Sequence, residues 1–278
     1  MARDIVASLR FKSEGQEGFS SKKLEEAIEK GYMTQARGSK FTTKKSFAPS
    51  SIGYGHGTCA RYWYQAFNGA FFNEKIDALG VANMSNGSAG HERLEKVFED
   101  AGVLVAKEIK MTLNDPPIFG FIDVMVKIDG ETVVGEIKTA RSESFEWRKN
   151  TMKPSGNHLY QILIYMKATG KNKGFMFYEN KNDQTFLVIP VAMNARNEKI
   201  LNDALDWLRL VHKNWKDNHD AWEKNPESHD LNAKIPQRPW TKRNQICRNC
   251  PLYEACWPET GEAPTSDVVI PPMEVVKP

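Results

Sequence analysis

Polar and apolar residues alternate on both sides of one tight turn in GFIDVMVKIDGETVVGEIKT, from Gly120 to Thr139. A period of two predicts half-buried strands. Asp129-Gly130 at the centre predicts a two-residue hairpin turn, because both central positions of that turn need φ > 0. Closed there, the hairpin faces Ile128 with Glu131, Val126 with Val133 and Asp123 with Glu136. Phe121, Asp123, Met125, Val134, Glu136 and Lys138 then share one face. Further strands are expected over Val103–Leu113, Gly174–Asn180 and Gln184–Val191.

Elsewhere the apolar period is helical. Ser20 or Ser21 starts a short helix carrying Leu24, Ala27 and Ile28, and a second begins near Thr58 with Tyr62, Ala66 and Phe67. A third, capped by Ser85 or Ser88 and ending at Gly102, puts His91, Leu94 and Phe98 on its inner face. Asn157 to Gly170 carries Leu159, Ile162, Leu163 and Met166 as a stripe, with Gln161 and Tyr165 four apart beside it. Asn194 to about Trp222 forms a long helix with Ile200, Ala204, Leu205, Leu208 and Val211 inward. The order helix, three strands, helix, two strands, helix predicts an α/β fold with a mixed sheet flanked by helices. Residues 1–49 read as an N-terminal extension, 50–258 as the main domain and 259–278 as a flexible tail rich in Pro, Glu and Thr.

Composition changes this picture little. The chain has 278 residues, 40% hydrophobic and 26% charged, which suits one sizeable core. No apolar run reaches membrane-spanning length and the start lacks an apolar signal core, so an intracellular, cytoplasmic protein without a membrane partner is expected. The net charge of +3 is too small to imply nucleic acid by itself. Basic residues do cluster, notably over Arg141–Lys153. There Arg141, Trp147, Arg148 and Lys149 suit phosphate pairing and base stacking, or else a plain surface helix with Phe145 and Trp147 inward.

The candidate chemistry begins at the hairpin. Two facing carboxylates, about 5 Å apart at Cβ, repel. Either a hard divalent cation holds them together, or they stand in water on an exposed strand surface. Lys138 lies about 7 Å further along the same face. An inward His91 is a core histidine or a metal ligand. Cys247, Cys250 and Cys256 follow C-x2-C-x5-C, and Cys59 is the one cysteine left to complete a four-thiolate site. Zinc and an iron–sulfur cluster both accept four cysteines, and three clustered ligands with one remote lean toward 4Fe–4S. Such a site would tie together the two ends of the core.

These pieces resemble, in the same order along the chain, the PD-(D/E)XK nuclease superfamily, and within it the RecB-type nucleases with an iron–sulfur clamp. That group includes the CRISPR-associated RecB-like exonucleases, the AddB nuclease domain and related phage exonucleases. The likeness covers about Ser50 to Trp257. It rests on Cys59 in TCARYWY, His91 in GSAGHE, Asp123 in GFIDV, Glu136-Ile137-Lys138 in GEIKTA, Gln161 and Tyr165 in YQILIY, and the cysteines of CRNCPLYEAC. Gly120-Phe121-Ile122 stands before Asp123 where the superfamily's name has a proline, a form common among RecB-type members.

The resemblance implies a restriction-endonuclease-like core closed by an iron–sulfur cluster. It implies metal-dependent DNA exonuclease activity on single-stranded or end-bearing DNA, in recombination, repair or end processing, with a recombination or adaptation protein as partner and the host cell as the location if phage-encoded. It casts His91, Asp123, Glu136 and the Ile137 carbonyl as ligands of Mg²⁺ or Mn²⁺, Lys138 as the residue that orients or activates water and offsets charge on the phosphate, and Gln161 and Tyr165 as strand-positioning catalytic residues. Cys59, Cys247, Cys250 and Cys256 would hold a 4Fe–4S cluster, or zinc in its place. The alternative is a non-catalytic DNA-binding or assembly subunit that keeps the nuclease fold.

Overall fold

The computed structural model describes residues 20–36, 40–41, 43–73 and 76–276. Two compact units are present, Met1–Arg37 with Ile76–Met84, and Gly38–Lys75 with Ser85–Pro278. In the first, helix α1 (Ser21–Thr34) starts as expected: the Ser20 hydroxyl accepts from the Lys23 amide at 3.4 Å. None of its side chains is buried, so Leu24 and Ile28 stand exposed.

The second unit is built on a five-stranded mixed sheet ordered β3-β4-β5-β6-β7. Its strands are β3 (Leu104–Asn114), β4 (Pro117–Ile128), β5 (Glu131–Ala140), β6 (Lys173–Asn180) and β7 (Phe186–Ala192). All neighbours are antiparallel except β5 and β6, which run parallel. A parallel neighbour needs a crossover, and helices α4 (Ser142–Thr151) and α5 (Gly156–Thr169) supply it. A short pair, β1 (Lys40–Phe41) and β2 (Phe71–Phe72), lies apart from the main sheet. The hairpin register is the expected one: Ile128 faces Glu131 and Val126 faces Val133, with Asp129 and Gly130 both at positive φ.

Helices cover the sheet. The buried stripe of α5, Ile162 to Met166, joins Val134 and Met176 in the larger core, with Leu201, Leu205 and Leu208 of α6 (Ala195–Lys224) behind it. Leu94 and Phe98 of α3 (Ala78–Asp100) pack instead with Val124, Val126, Ile137 and Phe177. Every residue of α2 (Ala60–Phe67) is buried, which is why its run of aromatics needs no polar face.

Several expectations are corrected. Helix α3 begins at Ala78, with Ser85 and Ser88 inside it, because the Asp77 carboxylate takes the Gly80 amide at 2.7 Å and caps the helix earlier. The basic stretch after β5, whose polar composition reads as a loop or broken helix, is the regular helix α4, anchored by Phe145 at 2% exposure, while Trp147 stays 42% exposed. Phe47 lies wholly inside the core and its amide donates to the Pro117 carbonyl at 2.8 Å, so the core reaches into the expected N-terminal extension. The end of the chain docks rather than hanging free. Ile270 and Met273 are buried, the Met273 amide donates to the Thr58 carbonyl at 2.9 Å, and the Trp207 indole donates to the Pro271 carbonyl at 2.8 Å. Two apolar residues flanking a proline pair anchor a segment whose composition alone reads as loose. Among the described residues no helix is long and apolar enough to cross a membrane.

Candidate active site and cysteine centre

The β4–β5 ladder ends one step short of the predicted Asp123–Glu136 pair. Backbone pairing runs from Ile128↔Glu131 to Val124↔Gly135. At the next step the Asp123 carboxylate itself accepts the Ile137 amide, at 2.7 Å. The strands part here, and the side chain of Asp123 takes the place of the ladder bond. That bond fixes one carboxylate oxygen and brings Asp123 close to Glu136 within a buried pocket: Asp123 is 8% exposed and Glu136 not at all.

Lys138 donates to Oε1 of Glu136. Oε2 is buried and has no hydrogen-bond partner. Burial pushes the Glu136 carboxyl well above the usual carboxylate range, the Asp123 charge adds to this, and Lys138 opposes it. His91 Nδ1 lies 3.6 Å from Asp123 Oδ2. Helix α3 can come this close because Gly90 precedes His91: a Cβ there would meet the Thr139 methyl of β5 at 2.9 Å. Gly120, three residues before Asp123, lets Pro49 pack against the strand, since a Cβ would meet its ring at 2.9 Å. On α5, the Gln161 amide donates to the Tyr165 hydroxyl at 2.9 Å. Burial raises the Tyr165 hydroxyl strongly, and the Glu136 and Asp123 charges add to it.

His91, Asp123, Glu136, Lys138, Gln161 and Tyr165 therefore converge. Ile137 contributes through its backbone, with its side chain buried among the residues under α3. Arg141, Trp147, Arg148 and Lys149 lie on or next to α4; Arg148 stacks over the Tyr178 ring at 4.6 Å, and Lys149 pairs with Glu146 at 3.8 Å. The sequence reading missed two acidic residues. Glu108 stands between the paired positions Lys107↔Val124 and Ile109↔Ile122, opposite Asp123, with φ +49°. Its carboxyl is raised by burial first and then by Asp123 and Glu95. Glu95 is buried one turn after His91 and pairs with Lys107 at 3.5 Å. The i, i+4 spacing from His91 was the available signal for Glu95. His158 was also missed; its Nδ1 meets the Tyr178 hydroxyl at 2.8 Å.

All four cysteines line one cavity of about 30 Å³, together with His56, Tyr62, Trp240 and Trp257. Cys59 is the residue capping α2, just ahead of its first turn. Short helices α7 (Gln245–Arg248) and α8 (Tyr253–Cys256) carry Cys247 and Cys256, and Cys250 lies in the loop between them. Burial pushes the Cys59 thiol up to about 12, and the Cys256 and Cys247 charges add to it. The Leu252 amide donates to the Cys250 sulfur at 3.4 Å, and the Cys256 thiol donates to Gln65 Oε1 at 3.1 Å. All four are free thiols.

Among the described residues, one trio of His, Cys, Asp or Glu has its ligand atoms all within 4.8 Å of one another: His219, Asp220 and Glu223 on α6. It lies outside both sites, and Asp220 already holds Lys216 at 2.8 Å.

No protein-family model matches the chain, and no curated protein matches it. Solved structures of similar outline include SSO0001, at 15% identity and a TM-score of 0.43 over 88% of this chain and 100% of that one. They also include an alkaline exonuclease (LHK-Exo) from Laribacter hongkongensis, at 16% identity and a TM-score of 0.45 over 63% of this chain and 94% of that one. The same exonuclease in complex with dAMP gives 15% identity and a TM-score of 0.44, with the same coverage.

Proposed function

We propose that the domain of residues 50–258 is a divalent-cation-dependent deoxyribonuclease, an exonuclease that hydrolyses phosphodiester bonds of single-stranded or end-bearing DNA. The observation that carries this reading is the Glu136 carboxylate. It is wholly buried beside Asp123, with one oxygen on Lys138 and the other bare. A bare buried carboxylate oxygen costs free energy unless something positive meets it. Two carboxylates and an imidazole of this kind fit Mg²⁺ or Mn²⁺, with Asp123, Glu136, His91 and the Ile137 carbonyl as the ligands. Bound there, such a cation supplies Lewis acidity to a phosphoryl oxygen and acidity to water.

The chain's own groups do the rest. Asp123 is held in place by the Ile137 amide. Lys138, tethered to Glu136, is positioned to hold or pass on a proton and to offset charge that grows on the phosphate. The Gln161–Tyr165 pair orients the strand from α5. Exposed Trp147 with Arg141, Arg148 and Lys149 offers a stacking and phosphate-pairing surface along α4. Recombination, repair or end processing suits such an activity, with a recombination or adaptation protein as partner.

The cysteine centre is read as a structural clamp. Three cysteines clustered as C-x2-C-x5-C with one remote cysteine favour a 4Fe–4S cluster over zinc. Cleavage of DNA should need Mg²⁺ or Mn²⁺, stop in EDTA and disappear in Asp123→Ala. Cleavage that persists in EDTA or in that variant would sink the site.

A further inference from the structure

Among the described residues, two arginines beside the cysteine cavity have a buried, unpartnered Nε. Arg61, on α2, is 1% exposed. Its terminal nitrogens donate to the Pro236 carbonyl at 2.9 Å and the Pro264 carbonyl at 2.6 Å, and its Nε is buried with no partner. Arg238 lies over the Trp257 ring at 4.2 Å, next to Cys256 in the chain, and its Nε is also buried and unpartnered. Both line one cavity with Gln237, Thr265 and Ser266. Among the described residues neither has a carboxylate within ion-pairing distance.

A guanidinium does not give up its proton. Carbonyls and an indole face solvate them in part, but two guanidiniums lining one cavity, Arg61 wholly and Arg238 partly buried, still repel and call for an anion. Arg61 lies on α2 between Cys59 and Gln65, whose Oε1 accepts the Cys256 thiol at 3.1 Å, and the Trp257 ring under Arg238 lines the cysteine cavity. A doubly positive metal core with four thiolates is a net dianion, the complement of two guanidiniums.

We propose that Arg61 and Arg238 are the counter-charges of an anionic, four-thiolate metal centre at Cys59, Cys247, Cys250 and Cys256, with the unpartnered Arg61 Nε–H directed to the Cys256 thiolate. This rests on the reading of the cysteines as a metal centre. Arg61 has a second, structural task, since it also pins the backbone at Pro236 and Pro264 to α2. Arg238 therefore separates the electrostatic role from the structural one.

The test uses the full chain, purified without oxygen, with iron, sulfide and zinc measured per chain. Release of the bound metal to a chelator is followed for wild type, Arg61→Gln, Arg238→Gln and Arg238→Lys, with far-UV circular dichroism as the check on folding. Arg238→Gln should fold and release metal about tenfold faster, while Arg238→Lys should stay near wild type. If iron is bound, each tenfold weakening of the reduced form relative to the oxidised form should lower the midpoint potential by about 59 mV for a one-electron couple. Wild-type chain holding neither iron nor zinc would reject the metal centre itself. Loaded wild type with folded Arg238→Gln and Arg61→Gln chains that match it in release rate would overturn the role of the arginines. If Arg61→Gln does not fold, the contrast between Arg238→Gln and Arg238→Lys decides.

Discussion

Glu136→Gln keeps the shape of a wholly buried side chain and removes its charge. In the folded chain, burial and then Asp123 hold the Glu136 carboxyl above its ordinary 4.5, against the pull of Lys138. The folded state therefore keeps this proton to higher pH than the unfolded state does. Its contribution to stability is full below pH 4.5 and is lost as pH rises through the folded value, at up to ~1.4 kcal/mol per pH unit. Metal-free wild type should lose on the order of 1–3 kcal/mol from this group between pH 5 and pH 8. A bound cation reverses the loss: at a hundred times its dissociation constant it adds ~2.7 kcal/mol. For a chain of this size that is a rise of about 5–10 °C in Tm.

In Glu136→Gln the pH slope should flatten, the metal-free protein should melt higher than wild type at pH 8, and the cation-induced rise should fall to a small fraction. Loss of the pair with Lys138 costs little, because that lysine side chain is 24% exposed and can turn to water. Thermal melts of EDTA-treated protein across pH 5–8, with and without Mg²⁺ or Mn²⁺, give all three readings. A variant that melts below wild type at pH 8 and still gains the full wild-type shift with cation would refute the reasoning.

Met273→Ala tests the docked C-terminal segment. A side chain only 5% exposed in the core should cost about 2–5 kcal/mol on truncation, read by urea unfolding. Unchanged stability would mean the segment does not hold. His158→Gln tests the acid limb. Burial first, then the Lys138 and Arg148 charges, hold the His158 imidazole down to about 3 from its ordinary 6.5. Its stabilising contribution is present above pH 6.5 and is lost as pH falls toward 3, with a slope of up to ~1.4 kcal/mol per pH unit. The Gln variant should show a shallower acid limb, and an acid limb identical to wild type would contradict this.

The hairpin was legible because Asp129-Gly130 admits one turn and the alternation admits one register. Leu94 and Phe98 facing inward, the stripe of α5 and the succession of strands along the chain followed from periodicity in the same way. What the pattern could not carry was the parting of β4 and β5. A ladder bond replaced by the Asp123 side chain leaves no trace in residue alternation. The start of α3 was missed because Asp77 caps it across a polar run with weak periodicity. The docked end was missed because its composition reads as loose while two buried residues, Ile270 and Met273, decide its fate. For the candidate site, the residues themselves pointed to His91, Asp123, Glu136 and Lys138, while Gln161 and Tyr165 were singled out by the family resemblance. Glu108 escaped because its place opposite Asp123 depends on the β3–β4 register, which no tight turn signal fixes, since Asp115-Pro116 joins those strands. The convergence of four cysteines on one cavity depends on contacts nearly two hundred residues apart in the chain, and spacing could only suggest it.

End-labelled single-stranded and double-stranded DNA, incubated with wild type and Lys138→Ala in Mg²⁺ or Mn²⁺, tests the central claim most directly. Wild type should shorten the labelled strand from its end. Lys138→Ala should be slower by at least ~10²-fold, the scale of losing one group that stabilises transition-state charge, while its melting profile stays near wild type. No cleavage by metal-loaded wild type, or equal cleavage by both proteins, would contradict the account.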